Sequence, residues 1–338
     1  MNMNYYSPEQ TGNDNKALFA DKQLIIINKS GDISENSIRE HMPEILNILL
    51  IDRTTSTLKT NKNIIWANEN YISKGFKAYA PTAEIQPELV TGENGHLIMP
   101  RALKTKALQK ERTKYNAEVF TPIHVVKQQN DVVERAYLDD DLQTYVKRTW
   151  LEITCGEAPY MASRYDMETG EIIPIAERVG FLDRKLARIN EEVFDKAEWQ
   201  RLVELAYQAS YGFEWNGDSL LIARENLLYT YRDYYFEKWQ EEPIYGLFKK
   251  IAEIISYNVF QMDGIAKKLG SPKKSSGPYY IVPLSEKKEK KLEVQMSFDL
   301  MFENEESKTD EFRIIPGKRV KIMNWEINKM EYFDKGAK

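Results

Sequence analysis

From residue 116 to residue 261, apolar runs of strand length alternate with amphipathic stretches of helical length. Strands are expected near 150–154, 211–215 and 256–260, and helices near 177–190, 195–209, 218–239 and 244–255. Strands separated by helices pair in parallel, and the helices cover both faces of the sheet. Ligands of such sheets sit at the carboxyl ends of the strands. A chain of 338 residues holds one such α/β unit and an extension. Before residue 116 the pattern is mixed. Residues 1–20 are polar, QLIIIN at 23–28 reads as a strand, SENSIREHMPEILNILLID at 34–52 as a Ser-capped helix, and KNIIWANENYI at 62–72 as another strand. Pro81, Pro87, Gly92, Gly95 and Pro100 then follow at the spacing of turns. The expected organisation is an N-terminal α+β extension over 1–115 and an α/β domain over 116–338. Within the latter, 284–310 reads as an excursion or hairpin, followed by strand-like FRIIP and VKIMNW.

Several function classes are excluded early. No apolar run reaches the roughly 18 residues of a membrane span. The N-terminus carries neither a basic nor an apolar leader region, so a cytoplasmic chain is expected. The single cysteine, Cys155, leaves no internal disulfide framework, and His41, His96 and His124 are too scattered for a structural zinc site. A net charge of -5 argues against a surface that coats nucleic acid throughout, so any DNA contact must be local. The densest basic group is Arg101, Lys104, Lys106, Lys110, Arg112 and Lys114, which reads either as that contact or as a solvated connector.

Four local patterns carry chemistry, in a fixed order. Phe120-Thr121-Pro122 precedes an amphipathic helix, with proline pre-setting the first turn. Glu152, at the end of an apolar strand, is followed by the small-residue turn Cys155-Gly156 and then Tyr160; such a turn lets backbone approach a ligand while the acid holds an ammonium or hydroxyl group. Glu214 ends the next strand and leads into a helix, the arrangement that grips ribose hydroxyls, with Asp218 as the natural N-cap of that helix. Asp263 follows the third strand beside Gly264 and reads as an acceptor for the exocyclic amine of an adenine.

In this order the four segments resemble the conserved motifs of adenine-N6 DNA methyltransferases whose cofactor motifs precede the catalytic one. With EITCGEAPY and GDSLLIARENLL, the pattern looks like small subunit-M chains of restriction–modification systems. The resemblance implies a Rossmann-like S-adenosylmethionine-dependent methyltransferase fold. It further implies S-adenosylmethionine as cofactor, double-stranded DNA as substrate, and a restriction or specificity subunit as partner. Phe120, Thr121 and Pro122 would pack on the methionine end of the cofactor. Glu152, Cys155, Gly156 and Tyr160 would cradle it, Glu214 would bind ribose, and Asp263 would touch adenine. The chain departs from the family at Glu152-Ile153, where Asp-Pro is usual, and at Ala158, which replaces the second glycine of the turn.

The larger departure is catalytic. Methyl transfer to an adenine amine needs the base flipped out, its amine held by acceptors and its ring stacked on an aromatic side chain. The family does this with Asn/Asp/Ser-Pro-Pro-Tyr/Phe/Trp, and no such run occurs here. Ser276-Gly277-Pro278-Tyr279 comes nearest, so Ser276, Pro278 and Tyr279 are the candidate catalytic residues, with Asn324-Trp325 a second, proline-free candidate. The chain ends soon afterwards, which leaves no evident target-recognition domain. A non-catalytic methyltransferase-fold scaffold or DNA-binding partner subunit is therefore the alternative. A nicotinamide oxidoreductase is disfavoured because Gly-x-Gly-x-x-Gly is absent, and a nuclease because no strand-borne Asp and Glu-x-Lys set is evident.

Overall fold

Ser34 accepts the N–H of Ser37 and opens α1 (Glu35–His41). The proline at 43 disfavours helical backbone at the residue before it, and Met42 sits at φ -142°, ψ 56°. The helix expected over 34–52 therefore divides there into α1 and α2 (Pro43–Leu50). The computed structural model describes residues 31–57, 59–116, 121–262, 280–281 and 318–333. The expected strands at 23–28 and 312–316 and the excursion at 284–310 lie outside the described residues, as do Phe120, Asp263, Ser276, Pro278 and Tyr279.

The segment 62–72, expected as a strand, makes only isolated antiparallel bridges, Asn63 with Ile51 and Ile65 with Glu84. The reason is its partner. Both the N–H and the carbonyl of Ile65 are taken by the side-chain amide of Gln261, at 2.9 and 2.8 Å, in place of a neighbouring strand. Short helices follow: α3 (Pro87–Val90), α4 (Lys106–Asn116), α5 (Ile123–Glu134) and α6 (Leu142–Lys147), the last capped by Asp141.

The α/β part then runs β1 (Trp150–Glu152), α7 (Phe181–Glu192), α8 (Lys196–Gln208), β2 (Ser210–Glu214), α9 (Gly217–Trp239), α10 (Tyr245–Asn258) and β3 (Val259–Gln261). The three strands form one parallel sheet with β2 in the middle; Leu151 stands opposite Tyr211, and Phe213 opposite Phe260. The α/β reading thus holds, with two-helix crossovers between successive strands. Two boundaries move: α7 begins at Phe181 and not near 177, and α10 keeps residues 256–258, which were expected in the third strand. A short apolar run reads alike as buried helix and buried strand. Two further pairs are antiparallel, β4 (Tyr280–Ile281) with β5 (Lys318–Arg319), and β6 (Lys321–Asn324) with β7 (Lys329–Tyr332).

Helix α9 is buried on every side along most of its length, so it is the axis around which the rest packs. One continuous core runs from Ile38, Leu46 and Leu49 of the N-terminal region through Leu221 and Leu228 of α9 to Phe248 and Ile255 of α10. Residues before and after 116 therefore share their hydrophobic stabilisation. A smaller cluster joins the sheet to the C-terminal hairpin, where the rings of Phe213 and Phe260 lie 6.5 and 6.0 Å from that of Phe333.

Candidate functional site

The site forms where β1 and β2 end. After Glu152 the backbone turns left-handed three times within five residues, at Thr154 (φ 49°), Gly156 (φ 55°) and Ala158 (φ 62°). For the two non-glycine residues this conformation costs roughly 1–2 kcal/mol each, and such strain gathers at ligand sites. A Cβ on Gly156 would meet nothing within 4 Å, so that face of the turn is open. Beneath it the packing is close. A Cβ on Gly212 in β2 would come within 2.5 Å of the Met161 methyl and 3.3 Å of Cys155 Sγ, so a larger residue there would force the Met161 side chain to move and crowd Cys155.

Two buried acids hold this turn. Glu152 accepts the N–H groups of Tyr160 at 3.2 Å and Met161 at 2.9 Å. Burial pushes its carboxyl up to about 8, against the pull of those two donors and with the help of the negative charge of Glu214. Glu214 accepts the N–H of Gly156 at 2.9 Å and, on its other oxygen, the N–H and side-chain amide of Asn216 at 3.0 and 3.1 Å. Burial raises its carboxyl as well, against the backbone donors of Asn216 and Gly156. A carboxylate offers about four acceptor positions, so these bonds leave Glu214 little capacity for a sugar unless Asn216 swings away.

Cys155 is buried between the two acids, and its N–H binds the Phe213 carbonyl at 2.8 Å. Burial, then Glu152 and Glu214, push its thiol well above the ordinary range. Because the thiolate is the reactive form, iodoacetamide near neutral pH is expected to alkylate the native chain at least about tenfold more slowly than the unfolded chain. Equal rates in the two states would place the sulfur in an activated site.

The helix after the Phe-Thr-Pro segment is pinned to the same turn. Pro122 is the N-cap of α5, and the Tyr160 hydroxyl donates to Gln129 at 2.6 Å. Asn130, one turn after the fully buried Val126, donates to the carbonyls of Tyr160 and Val179 at 3.1 and 3.0 Å. The structure thus brings Thr121, Pro122, Glu152, Cys155, Gly156, Tyr160 and Glu214 to one end of the sheet. An open cleft of about 440 Å³ lies beside the turn, lined by Gln129, Val133, Trp150, Leu151, Glu152 and Tyr160.

Sequence reasoning missed what covers the other side of the site. Segment 64–68 crosses the ends of β2 and β3. Gly217 donates to the Trp66 carbonyl at 3.1 Å, and Gln261 Nε2 binds the carbonyls of Ile65 and Trp215. Asp218 is not the N-cap of α9; that position is Asn216. Asp218 lies in the first turn, fully buried, and accepts Asn68 Nδ2 (3.0 Å), the Tyr71 hydroxyl (2.8 Å) and Arg112 Nη1 (2.9 Å). The basic group proposed for DNA is accordingly divided. Arg101, Lys104 and Arg112 are buried, Arg101 binding the Gln109 carbonyl and Thr113, whereas Lys106 and Lys110 are exposed. Neither a free cationic face nor a solvated connector describes it; half of it is internal structure.

Among the described residues no cluster of metal-ligating side chains occurs, and no helix is long and apolar enough to cross a membrane. In comparisons with known proteins, no family model, no curated protein and no solved structure matches the chain.

Proposed function

We propose that the chain is an S-adenosylmethionine-binding, adenine-N6 DNA methyltransferase-like modification subunit of a restriction–modification or phage-defence system. One observation carries the cofactor reading. Two buried carboxyls, Glu152 and Glu214, flank an open glycine turn at the carboxyl end of a parallel sheet, and each is held there by backbone or amide donors with no basic side chain bonded to it among the described residues. Such a place is desolvated, and its carboxyls complement a compact cation that displaces their protons. S-adenosylmethionine carries two, the sulfonium and the amino-acid ammonium. Its adenosine would extend toward Glu214 and the end of β3. Thr121, Pro122 and Tyr160 would close the methionine end. Double-stranded DNA and a restriction or specificity subunit are the partners that the motif order suggests.

Transfer itself would require acceptors for the target amine and a stacking ring, and the sequence has no intact Asn-Pro-Pro-Tyr equivalent to supply them. A second reading, a scaffold with a closed cofactor pocket, is favoured by the three bonds already made to Glu214. Incubation of the chain alone with tritiated S-adenosylmethionine and adenine-containing duplex DNA tests the proposal. Label is expected to stay with the protein and not to enter DNA. Retention by neither would sink the cofactor reading. Incorporation into DNA that Tyr279→Ala abolishes would assign complete catalysis to Ser276, Pro278 and Tyr279.

A further inference from the structure

The segment that covers the site continues into a loop whose exposed side chains the cofactor reading does not use. Past Tyr71, residues Ser73, Lys74, Phe76 and Lys77 all face solvent, with Phe76 at 55% exposure. The stem beneath them is well held. The Trp66 ring packs against Tyr71 and Tyr79, with centroids 4.9 and 5.2 Å away, and its indole N–H donates to the Ala78 carbonyl at 3.1 Å. Within the loop, the N–H groups of Lys74 and Gly75 donate to the carbonyls of Tyr71 and Ile72, and that of Tyr79 to the carbonyl of Gly75. A tip fixed in this way has less freedom to lose when a partner meets it.

The stem stands on the rim of the sheet that carries the candidate site. The Trp66 carbonyl accepts the N–H of Gly217 at 3.1 Å, and Asn68 Nδ2 reaches Asn216 Oδ1 at 3.3 Å. Asn216 in turn binds Glu214, which holds Gly156 of the turn. Helix α4 meets the stem at Tyr71, where Arg112 donates to the hydroxyl at 2.9 Å and its guanidinium lies 5.2 Å from the ring centre. Lys106 and Lys110, one turn apart on α4, are exposed. Segments 66–80 and 101–116 hold one acid each, Glu69 and Glu111. Four exposed lysines and an exposed ring thus stand within a few residues of the Tyr71–Arg112 contact, on a chain whose net charge is -5.

We propose that loop 72–78 is a DNA-contacting finger, with Lys74 and Lys77 on phosphates and Phe76 against a base step opened beside the site. Lys106 and Lys110 extend the phosphate contact. The assignment rests on the reading of duplex DNA as substrate. Taking an adenine out of the stack leaves an unstacked step, and apolar side chains wedge into such steps while cations hold the backbone. A protein partner fits this surface less well. Protein interfaces bury about 800 Å² per partner and are depleted in lysine at their core, whereas this tip offers one ring between two cations.

Fluorescence anisotropy of a labelled adenine-containing duplex, titrated with the full chain over a series of salt concentrations, tests the finger. The wild-type chain is expected to bind with an affinity that falls as salt rises. Lys74→Ala combined with Lys77→Ala should flatten the salt slope by about two and weaken low-salt binding about tenfold or more. Phe76→Ala should weaken binding about fivefold or more at every salt concentration without changing the slope, and Phe76→Trp should restore it. Loop variants that bind DNA as the wild-type chain does would overturn the finger and leave the DNA reading standing. No binding by the wild-type chain would overturn both. An equal loss from Lys147→Ala combined with Lys250→Ala, exposed lysines of α6 and α10, would also overturn the finger, because net charge alone would then set the affinity.

Discussion

Arg224→Met is expected to destabilise the fold by about 3–5 kcal/mol, the range for removing one partner of a buried charged network. Arg224 is fully buried in α9. Its guanidinium donates to the carbonyls of Leu49 and Ile51 at the end of α2, of Val259 at the start of β3, and of Ser256 in α10. Four backbone acceptors from three elements thus depend on one side chain. Burial lowers its pKa to about 10, with Asp52 offsetting part of that shift, so the group stays charged through the physiological range. Methionine fills similar volume but donates nothing, and each stranded carbonyl costs roughly 1–3 kcal/mol before relaxation. Guanidinium chloride unfolding measures the loss. A change below about 1 kcal/mol, an ordinary value for a surface substitution, would show that Arg224 does not join the N-terminal region to the sheet.

The second large effect belongs to Arg112 and Asp218. Their ion pair, 2.9 Å long with both side chains at most 3% exposed, ties α4 to the first turn of α9. Burial pushes the Asp218 carboxyl up, but Arg112, Lys104 and the Tyr71 hydroxyl more than offset it and hold the group below its usual range. Asp218→Ala is expected to cost about 3–5 kcal/mol by removing the buried carboxylate that Arg112 and the Tyr71 hydroxyl bind. Replacing both residues by apolar ones of similar size should cost much less than the sum of the single changes. A carboxyl held low in the folded state contributes stability above its ordinary range, and this is lost in acid as pH falls through the lowered value. Strict additivity in the double-mutant cycle would mean that the two residues do not act as a pair.

These two residues also mark the limits of sequence reading. The parallel sheet, its three strands and the helices between them were legible because apolar periodicity is local. The turn was legible too, since Glu152, Gly156 and Glu214 stand at strand ends where backbone must bend. The roles of Arg112 and Asp218 were not, because the two are 106 positions apart. A basic run looks the same on paper whether it faces water or an acid on a distant helix. Asn130 was the exception in principle: an amide four residues after Val126, on the face of α5 that turns inward, implies a buried polar contact. Segment 62–72 misled for a related reason. Its apolar alternation suits a strand, but the sheet edge it meets is occupied by the side chain of Gln261, so it becomes a cover over the site.

The most direct test of the account is a calorimetric titration of the chain with S-adenosylmethionine, repeated on Glu214→Ala and at two pH values. A single saturable site is expected, weakened about tenfold or more in the variant, since a hydrogen bond to a charged group contributes roughly 1.5–3 kcal/mol. With the Glu152 carboxyl raised to about 8, the cation competes with a proton below that value, so wild-type affinity should rise as pH approaches 8 and then level off. Glu152→Gln should flatten that slope. No heat of binding to the wild-type chain, or the same affinity in Glu214→Ala, would contradict the assignment of a cofactor site to this turn.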